Sequence, residues 1–357
     1  MVLVQVILRI PATANPPLYV TQQEAFDFYV AHFDLSDESK TLYRKLLVNG
    51  PIAGRYIGMD RKEDACETNP DQLNARFGKY ARQTGALAAR QAMEAAGLTA
   101  ADLGGIVVNT CTGYLCPGLS SYLVQDLGLP SAVRTLDVVG MGCGGALPNI
   151  VTAAALLAAT GGRPWLSVAV EICSATLFMG ADPALIVSNC IFGDGAAAVV
   201  LQDEARVARA GGLMRFIGSA SSLHPEYREQ LRYRQEGGRL RNVLTPRVPV
   251  IGAKLAGEAL DTLLQQHELS RQDISWWAVH AGGTAVLDQV GRDLGLDARA
   301  LQYSLKVFRT YGNMSSPSVL FALREILEQG RPKAGDKGVL LSFGAGFSAH
   351  AVLVEFL

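Results

Sequence analysis

One short string occurs twice in this chain, and this recurrence constrains the fold more than any other feature. Residues 98–103 read Leu-Thr-Ala-Ala-Asp-Leu and precede an apolar strand pattern that ends at Asn109. Residues 269–274 read Leu-Ser-Arg-Gln-Asp-Ile, lie 171 residues further on, and precede a strand pattern that ends near His280. The match suggests that the chain contains two copies of one structural unit.

A second pair of strings follows the first pair in the same order. Phe-Gly-Asp-Gly at 192–195 and Phe-Gly-Ala-Gly at 343–346 each open an apolar strand pattern. Chance similarity of short strings is the alternative, and the shared order disfavours it. We therefore predict two related halves, an N-terminal one over residues 1–205 and a C-terminal one over residues 206–357.

Helical and strand patterns alternate within the first half. Apolar residues at helical spacing predict helices, and short apolar runs between glycines predict strands. The predicted helices are 77–96 and 150–159, and the predicted strands are 105–109, 132–139, 165–170 and 196–201. This β-α-β order is typical of an α/β fold with buried sheets.

Two other segments carry weaker signals. Residues 204–244 are charged and poorly periodic, which predicts a linker and a surface loop. A later helix is predicted over 319–327, with Ser316 as its N-cap and Pro317 at its first position.

The composition excludes several classes of protein. Hydrophobic residues make up 49% of the chain and charged residues 18%, so disorder is excluded and oligomerisation would bury part of the apolar surplus. The net charge of −1 provides no basic field for nucleic acid. The six cysteines form no C-x-x-C pair, so we expect neither a zinc site nor another metal.

The N-terminus argues for a cytoplasmic protein. Residues 1–10 are apolar, have no basic region before them and are interrupted by Arg9, so they predict a strand and not a signal peptide. No apolar run has the ~18 residues of a membrane span. We therefore expect a reducing compartment in which the cysteines stay as thiols.

Cys143 is the strongest candidate for a nucleophile. It lies among glycines in residues 140–146, after a predicted strand and before the Ala-rich helix. The partial positive charge of a helix start favours a thiolate, and the backbone N–H groups could bind an oxyanion. A small buried thiol in a glycine turn is the alternative, and we hold that interpretation for the other five cysteines.

A nucleophilic cysteine needs a base and an orienting group. His280 follows an apolar strand, and sites in α/β sheets lie beyond the carboxyl ends of strands. Asn313 lies in a glycine turn that opens a helix. Of the other histidines, His350 is within the last strand, where a core histidine is the simpler interpretation.

At this point the chain resembles a known family, the type III polyketide synthases, which are chalcone-synthase-like members of the thiolase superfamily. The resemblance runs from about residue 55 to the end and includes features typical of bacterial alkylpyrone and alkylresorcinol synthases. Six strings in order carry it: Gly-Cys-Gly-Gly at 142–145, Glu-Ile-Cys-Ser at 171–174, Phe-Gly-Asp-Gly-Ala-Ala-Ala at 192–198, His-Ala-Gly-Gly at 280–283, Gly-Asn-Met-Ser-Ser at 312–316 and Phe-Gly-Ala-Gly at 343–346. The fold that it implies is a duplicated, five-layer α-β-α-β-α thiolase fold.

The resemblance implies a triad of Cys143, His280 and Asn313. Cys143 would be acylated by an acyl-CoA starter, and His280 would hold its sulfur as a thiolate. His280 and Asn313 would polarise the thioester carbonyl of malonyl-CoA and stabilise the enolate that forms on decarboxylation. No cofactor is implied, because acyl-CoA and malonyl-CoA enter as substrates.

Further positions follow from the same resemblance. Phe192 would gate the CoA tunnel, and Asn242 stands where the family has a second gating phenylalanine, which predicts a more open mouth. Ser315 would line the cavity. Lys45 would contact CoA phosphates, with a solvated helix face as the alternative, and Ala285 would contact CoA through its backbone.

The family's substrate-cavity positions are occupied by small side chains here, at Thr112, Cys116, Cys173 and Thr176. Thr112, Cys116 and Cys173 are small in long-chain alkylpyrone synthases, where they open a tunnel for a fatty acyl tail; simple packing is the alternative. The position of Cys116 also reaches the neighbouring subunit's cavity in the family, which implies a homodimer.

The leading hypothesis is therefore a homodimeric acyltransferase without nucleic-acid or membrane-inserted partners. It would condense a medium- or long-chain fatty acyl-CoA with two or three malonyl units and cyclise the product to an alkylpyrone or alkylresorcinol. A malonyl-CoA-only synthase of a phenolic product is one alternative. A single-condensation ketoacyl synthase that uses a carrier protein is another, and an inactive scaffold is disfavoured because the triad is intact.

Overall fold

The computed structural model of this protein describes residues 4–177, 179–207 and 213–357. Residues 1–3 of the predicted N-terminal strand, and residues 208–212 of the predicted linker, lie outside the described part. Within that part the strands are β1 (Val6–Leu8), β2 (Ala12–Ala14), β3 (Leu18–Thr21), β4 (Gly54–Ile57), β5 (Gly105–Thr110), β6 (Arg134–Val139), β7 (Trp165–Glu171), β8 (Gly195–Asp203), β9 (Met214–Leu223), β10 (Leu231–Glu236), β11 (Arg239–Leu244), β12 (Trp276–Val279), β13 (Lys337–Gly344) and β14 (Ser348–Phe356).

The helices of the described part alternate with these strands, as the sequence predicted. They are α1 (Gln22–His32), α2 (Asp37–Tyr43), α3 (Pro70–Ala95), α4 (Leu119–Leu127), α5 (Ala146–Ala159), α6 (Pro183–Ile191), α7 (Val248–Gln266), α8 (Thr284–Leu294), α9 (Gln302–Tyr311) and α10 (Ser318–Glu325). Helix α3 begins seven residues before the predicted start at Phe77, because Asn69 caps it and Pro70 occupies its first position.

The main strands form one continuous sheet with two similarly arranged ends. Its order is β12-β13-β14-β9-β1-β8-β7-β5-β6, and β2 also pairs with β8. Strand β5 runs parallel to β6 and β7, while β8 is antiparallel to β7. At the other end β12 is parallel to β13, and β14 is antiparallel to it. The carboxyl ends of β5, β6 and β7 therefore lie at one edge, as do those of β12 and β13.

The packing gives five layers. Helices α5 and α10 lie in the middle and pack against residues of both ends of the sheet, such as Val107 and Leu340. Helix α3 covers the opposite face of the first end, where Ile106 and Val108 point. Helices α7 and α8 cover the far face of the second end. Strands β5, β7 and β8 are buried on both faces, which is why their residues read as nearly continuous apolar runs.

The repeated strings have the same local structure in both halves. Residues Ala100–Asp102 and Arg271–Asp273 each form a single 3-10 turn before β5 and β12. In both turns a hydroxyl residue and an aspartate three residues later form a capping box, Thr99 with Asp102 and Ser270 with Asp273. The duplication thus extends to side-chain contacts, and the boundary near residue 205 stays a prediction.

Two predictions about irregular segments are wrong. Residues 204–244 contain β9, which pairs with β14 in the sheet, and the hairpin of β10 and β11. Arginines and glutamates on the exposed faces of that hairpin hide its alternation. Ser316 does not cap α10, because its hydroxyl donates to Glu171 Oε1 at 2.7 Å; Pro317 precedes the first helical residue instead.

Candidate active site

Cys143 lies in a single 3-10 turn, Gly142–Gly144, between the end of β6 and the start of α5. Its side chain is buried. Gly142 has φ 57°, and a Cβ at this position would lie 2.8 Å from the backbone N of Ala345. Glycine therefore lets the turn that carries the thiol, from the first half of the chain, contact the loop after β13 in the second half.

Asn313 is held at the same edge by backbone and side-chain contacts. It follows α9, and its Nδ2 donates to the carbonyl of Gly282 at 3.2 Å. Its Oδ1 accepts from the backbone N–H of Ser315 at 2.8 Å, and Ser315 adopts a left-handed conformation with φ 59°. The side chains of both Asn313 and Ser315 hydrogen-bond with Cys143.

His280 follows β12 directly and is 1% exposed. Its backbone N–H donates to Leu341 at 2.8 Å, and Phe343 packs edge-on against its ring at 6.1 Å between centroids. The ring Nδ1 has no hydrogen-bond partner among the residues that the structure describes. Gly282 lies two residues after His280, so its contact with Asn313 connects the predicted base to this second member of the triad.

Burial dominates the electrostatics of these groups. It raises the pKa of the Cys143 thiol to about 12; hydrogen bonds with Ser315 and Asn313 oppose the rise, and the charge of Glu171 adds to it. Burial also lowers the pKa of His280 to about 4, so its imidazole is neutral at pH 7. Burial therefore opposes the predicted thiolate more strongly than the helix end favours it, and the thiolate stays a prediction. A neutral imidazole can accept a proton.

A small cavity opens above the thiol, and we call it the Cys143 cavity. The space between its walls is about 270 Å³, including the part open to solvent. Four predicted site residues line it: Cys143, Phe192, Asn242 and Ser315. The remaining walls are Cys111, Gly142, Leu231, Arg232, Tyr233 and Ala345. The hairpin of β10 and β11 thus closes the site from above.

Comparison with known families agrees with this geometry. The family model described as FAE1/Type III polyketide synthase-like protein matches residues 18–217, which is more than half of the chain. The chain belongs to the type III polyketide synthases. A second model, described as the C-terminal part of 3-oxoacyl-[acyl-carrier-protein] synthase III, matches residues 264–356. The protein is therefore an acyltransferase that makes polyketides by Claisen condensation, with the thiolase fold.

Relatives of this synthase include enzymes that make phenolic products. A 3,5-dihydroxyphenylacetyl-CoA synthase of Streptomyces toyocaensis is 33% identical over 94% of this chain and 86% of that protein. A 1,3,6,8-tetrahydroxynaphthalene synthase of Streptomyces peucetius is 30% identical over 96% and 91%. The solved structure of such a naphthalene synthase from Streptomyces coelicolor superposes with a TM-score of 0.89 at 28% identity, covering 98% of this chain and 99% of that one.

The four positions predicted to line the substrate cavity do not share one cavity in the described part of this synthase. Cys173 and Thr176 line a cleft between α1 and α6, which we call the α1–α6 cleft. Cys116 is exposed on the surface. Thr112 is turned away from the cleft, because its hydroxyl donates to the buried Glu171 at 2.9 Å and accepts from the backbone of Ile172 at 2.9 Å.

The α1–α6 cleft is narrow and mostly apolar. Its walls enclose about 720 Å³ including the open mouth, of which about 60 Å³ admits the centre of a water molecule. Phe192 and Asn242 line both the cleft and the Cys143 cavity, so they separate the two spaces. Asn242 is buried and accepts a hydrogen bond from Ser188 at 2.9 Å. Asn242, which was predicted to leave the mouth of the CoA tunnel more open, is thus a polar side chain held in place by Ser188.

Sequence reasoning missed two wall residues of the Cys143 cavity. The Cys111 thiol lies 3.5 Å from the Ser315 hydroxyl, the same side chain that hydrogen-bonds with Cys143. Its place directly after β5 could have marked it. Tyr233 hydrogen-bonds with Thr176, and burial raises the pKa of its phenol. It was missed because β10 was taken for a loop.

The two predicted CoA contacts lie on the surface. Lys45 is exposed on the short π-helical turn Arg44–Val48, and Ala285 is exposed in the first turn of α8. Lys62, which was not predicted, lines the α1–α6 cleft with its ammonium 2.6 Å from Glu24. The roles of Lys45 and Ala285 toward CoA, like those of the triad, stay predictions.

The described residues show neither a metal-binding cluster nor a membrane-spanning helix. They contain no cluster of three or more histidine, cysteine, aspartate or glutamate side chains arranged to hold a metal ion. None of the helices in residues 4–177, 179–207 and 213–357 combines the length and apolarity needed to cross a membrane.

Proposed function

We propose that this synthase condenses a medium- or long-chain fatty acyl-CoA starter with two or three malonyl-CoA units and releases an alkylpyrone or alkylresorcinol. The observation that supports this starter is the α1–α6 cleft. Cys173 and Thr176 line it, and Phe192 and Asn242 belong to its wall and to the wall of the Cys143 cavity. Burial of each methylene group contributes about 0.8 kcal/mol, so an apolar cleft favours a long tail.

The proposed chemistry begins with transfer of the starter to Cys143. The thiol proton passes to neutral His280, the sulfur attacks the thioester carbonyl, and CoA leaves as its thiol after taking the proton. Malonyl-CoA then loses carbon dioxide. The electron pair of the broken C–C bond forms an enolate, whose oxygen accepts hydrogen bonds from His280 and from Asn313 Nδ2. The enolate carbon attacks the acyl thioester and expels the Cys143 sulfur.

The shape of the cleft bears on the starter. A volume of about 60 Å³ open to the centre of a water molecule corresponds to only a few waters, so the cleft is a slot and not a chamber. An extended alkyl chain has a narrow cross-section, whereas a folded polyketide or a ring does not. We therefore infer that the starter tail, and not the folded polyketide, enters the α1–α6 cleft.

Product mass spectrometry tests the proposal directly. The enzyme is incubated with malonyl-CoA and acyl-CoA starters from C2 to C18, with Cys143→Ala as the inactive control. Product masses that increase with the starter, each by two or three acetate units, support the proposal. Leu185→Trp, which fills the cleft far from Cys143, should shorten the preferred starter. An unchanged preference in that variant would contradict the placement of the tail.

A malonyl-CoA-only synthase of a phenolic product is the second candidate. Tyr233 supports it, because this residue adds a phenol to the wall of the Cys143 cavity. The relatives named as dihydroxyphenylacetyl-CoA and tetrahydroxynaphthalene synthases support it too. A product formed from malonyl-CoA alone, and unaffected by Leu185→Trp, would favour this candidate. Condensation only with a malonyl-loaded carrier protein would favour a ketoacyl synthase.

We further propose that the enzyme is a cytoplasmic homodimer joined along β6. This strand ends the sheet order, and Leu136 and Val139 on it are 41% and 56% exposed. Nearby Tyr114 is 71% exposed, and Cys116 lies on the same loop. An unpaired apolar edge strand is a site for pairing with another chain. Sedimentation of the wild type and of Val139→Lys tests this assembly; a monomeric wild type would contradict it.

A further inference from the structure

Arg55 is a buried arginine in the wall of the α1–α6 cleft, and the chemistry above assigns no step to it. It is on β4 and only 6% exposed. Its Nε donates to Gln22 Oε1 at 2.9 Å, and its Nη1 donates to the carbonyls of Asn189 and Phe192, each at 2.7 Å. The ion pairs found among the described residues do not include it. Its hydrogen bonds go to neutral acceptors, and its charge also acts on the buried carboxyl of Asp194, so these partners would lose their contacts together if the guanidinium were removed.

The carbonyls that Arg55 holds belong to the end of α6. Gln22 adds to this set, because its Nε2 donates to the carbonyl of Cys190 at 2.9 Å. Arg55 and Gln22 therefore hold the carbonyls of residues 189, 190 and 192, at the end of a helix where the macrodipole is negative. The guanidinium donates to Gln22 through Nε and to the two carbonyls through Nη1, and lysine, whose donors all lie on one nitrogen, cannot reproduce this spread.

The end of α6 is in turn joined to the loop that carries Asn313. The backbone N–H of Asn313 donates to Ile191 at 2.8 Å, and the N–H of Gly193 donates to the carbonyl of Asn313 at 3.0 Å. The aliphatic stem of Arg55 also packs against this loop, since a Cβ on Gly312 would lie 3.1 Å from its Cδ. One side chain thus fixes the segment around Phe192 and contacts the residue before Asn313.

We propose that Arg55 is a positioning residue that sets the places of Asn313 and Phe192 for decarboxylation of malonyl-CoA. The inference rests on the proposed function, in which Asn313 Nδ2 donates to the malonyl thioester oxygen. Displacing a catalytic group by about 1 Å can cost roughly a hundredfold in rate. Acylation of Cys143 by a short starter, whose tail does not fill the α1–α6 cleft, depends on the turn Gly142–Gly144 and should be affected little.

The test compares Arg55→Lys with the wild type in four measurements. These are release of carbon dioxide from malonyl-CoA, acylation of Cys143 by a short starter, measured by intact-protein mass, the melting temperature, and hydrogen exchange in peptides that cover residues 189–194 and 311–316. We expect decarboxylation to fall about tenfold to a hundredfold and exchange to rise in those two peptides alone. Acylation should stay within about twofold of the wild-type rate.

Two further variants keep the test decisive. Arg82→Lys is the matched control, because Arg82 on α3 binds Asp126 at the surface through two nitrogens and should leave all four readouts unchanged. Gln22→Ala removes one Arg55 partner and should show the same split between the two rates, in smaller measure. It replaces Arg55→Lys if that variant does not fold.

The outcomes separate the inference from the proposed function. A wild type that acylates but never decarboxylates malonyl-CoA would overturn the proposed function whatever the variants do. An active wild type with equal loss of both rates in Arg55→Lys, or with no loss of either, would overturn the positioning role alone. Unchanged exchange in the 311–316 peptide would do the same.

Discussion

Gly142→Ala should both destabilise the protein and disable Cys143. The loss of unfolding free energy has two contributions, one from backbone conformation and one from a steric clash. Gly142 has φ 57°, a conformation that costs an L-residue roughly 1–2 kcal/mol. The added Cβ would also lie 2.8 Å from the backbone N of Ala345, which can move only with its loop. Such overpacking adds about 1–3 kcal/mol. The total is about 2–5 kcal/mol of unfolding free energy.

Gly140→Ala is the matched control for this experiment. Gly140 has φ 84°, but a Cβ there would meet no atom within 4 Å. It should therefore show the conformational cost alone, about 1–2 kcal/mol. Urea unfolding at one fixed protein concentration gives both values, and alkylation of Cys143 reports whether the turn has moved. Equal destabilisation by the two substitutions, with unchanged alkylation of Cys143, would refute the close approach of the turn to Ala345.

Two other predictions concern buried polar groups. Ser316→Ala should lower the unfolding free energy by about 2–4 kcal/mol. In this variant Glu171 and Asn109 each lose a hydrogen bond to the serine hydroxyl, of 2.7 and 2.8 Å, and both groups are buried away from water. A loss below about 1 kcal/mol in urea unfolding would contradict this prediction. Burial lowers the pKa of both His280 and His350 to about 4, below the unfolded value of about 6.5, so their contribution to stability is present above pH 6.5 and is lost as the pH falls toward 4. Each histidine should account for about 2 kcal/mol of the unfolding free energy that is lost between pH 7 and pH 5. His350→Gln should remove the part due to His350, and an unchanged pH dependence of stability in that variant would contradict this prediction.

Much of the fold follows from local sequence signals. The paired strings at 98–103 and 269–274 form the same capped turn before the same kind of strand, because a hydroxyl residue and an aspartate three positions later satisfy that turn wherever they occur. The hairpin of β10 and β11 could not be predicted in this way. Its strands are exposed on one side and carry charges there, so no apolar alternation marks them.

The candidate site likewise has features that the sequence predicts and features that it does not. Cys143, His280 and Asn313 could be chosen from the sequence, because each follows a strand or helix at a glycine-rich turn and their chemistry restricts the choice. The protonation states of these groups could not be predicted from the sequence. Burial by side chains distant in sequence raises the pKa of the thiol and lowers that of the imidazole, and no local pattern predicts which side chains these are.

The sequence by itself determined the duplicated α/β architecture, the family and the three triad candidates, since these depend on periodicity, turn chemistry and residue type, all of which are local. Only the tertiary structure decided which residues share a space. In the folded chain Thr112 contacts Glu171, Cys116 lies on the surface, and Tyr233 lines the Cys143 cavity. Cavities form where segments far apart in the chain meet, and their walls are therefore set by packing and not by order in sequence.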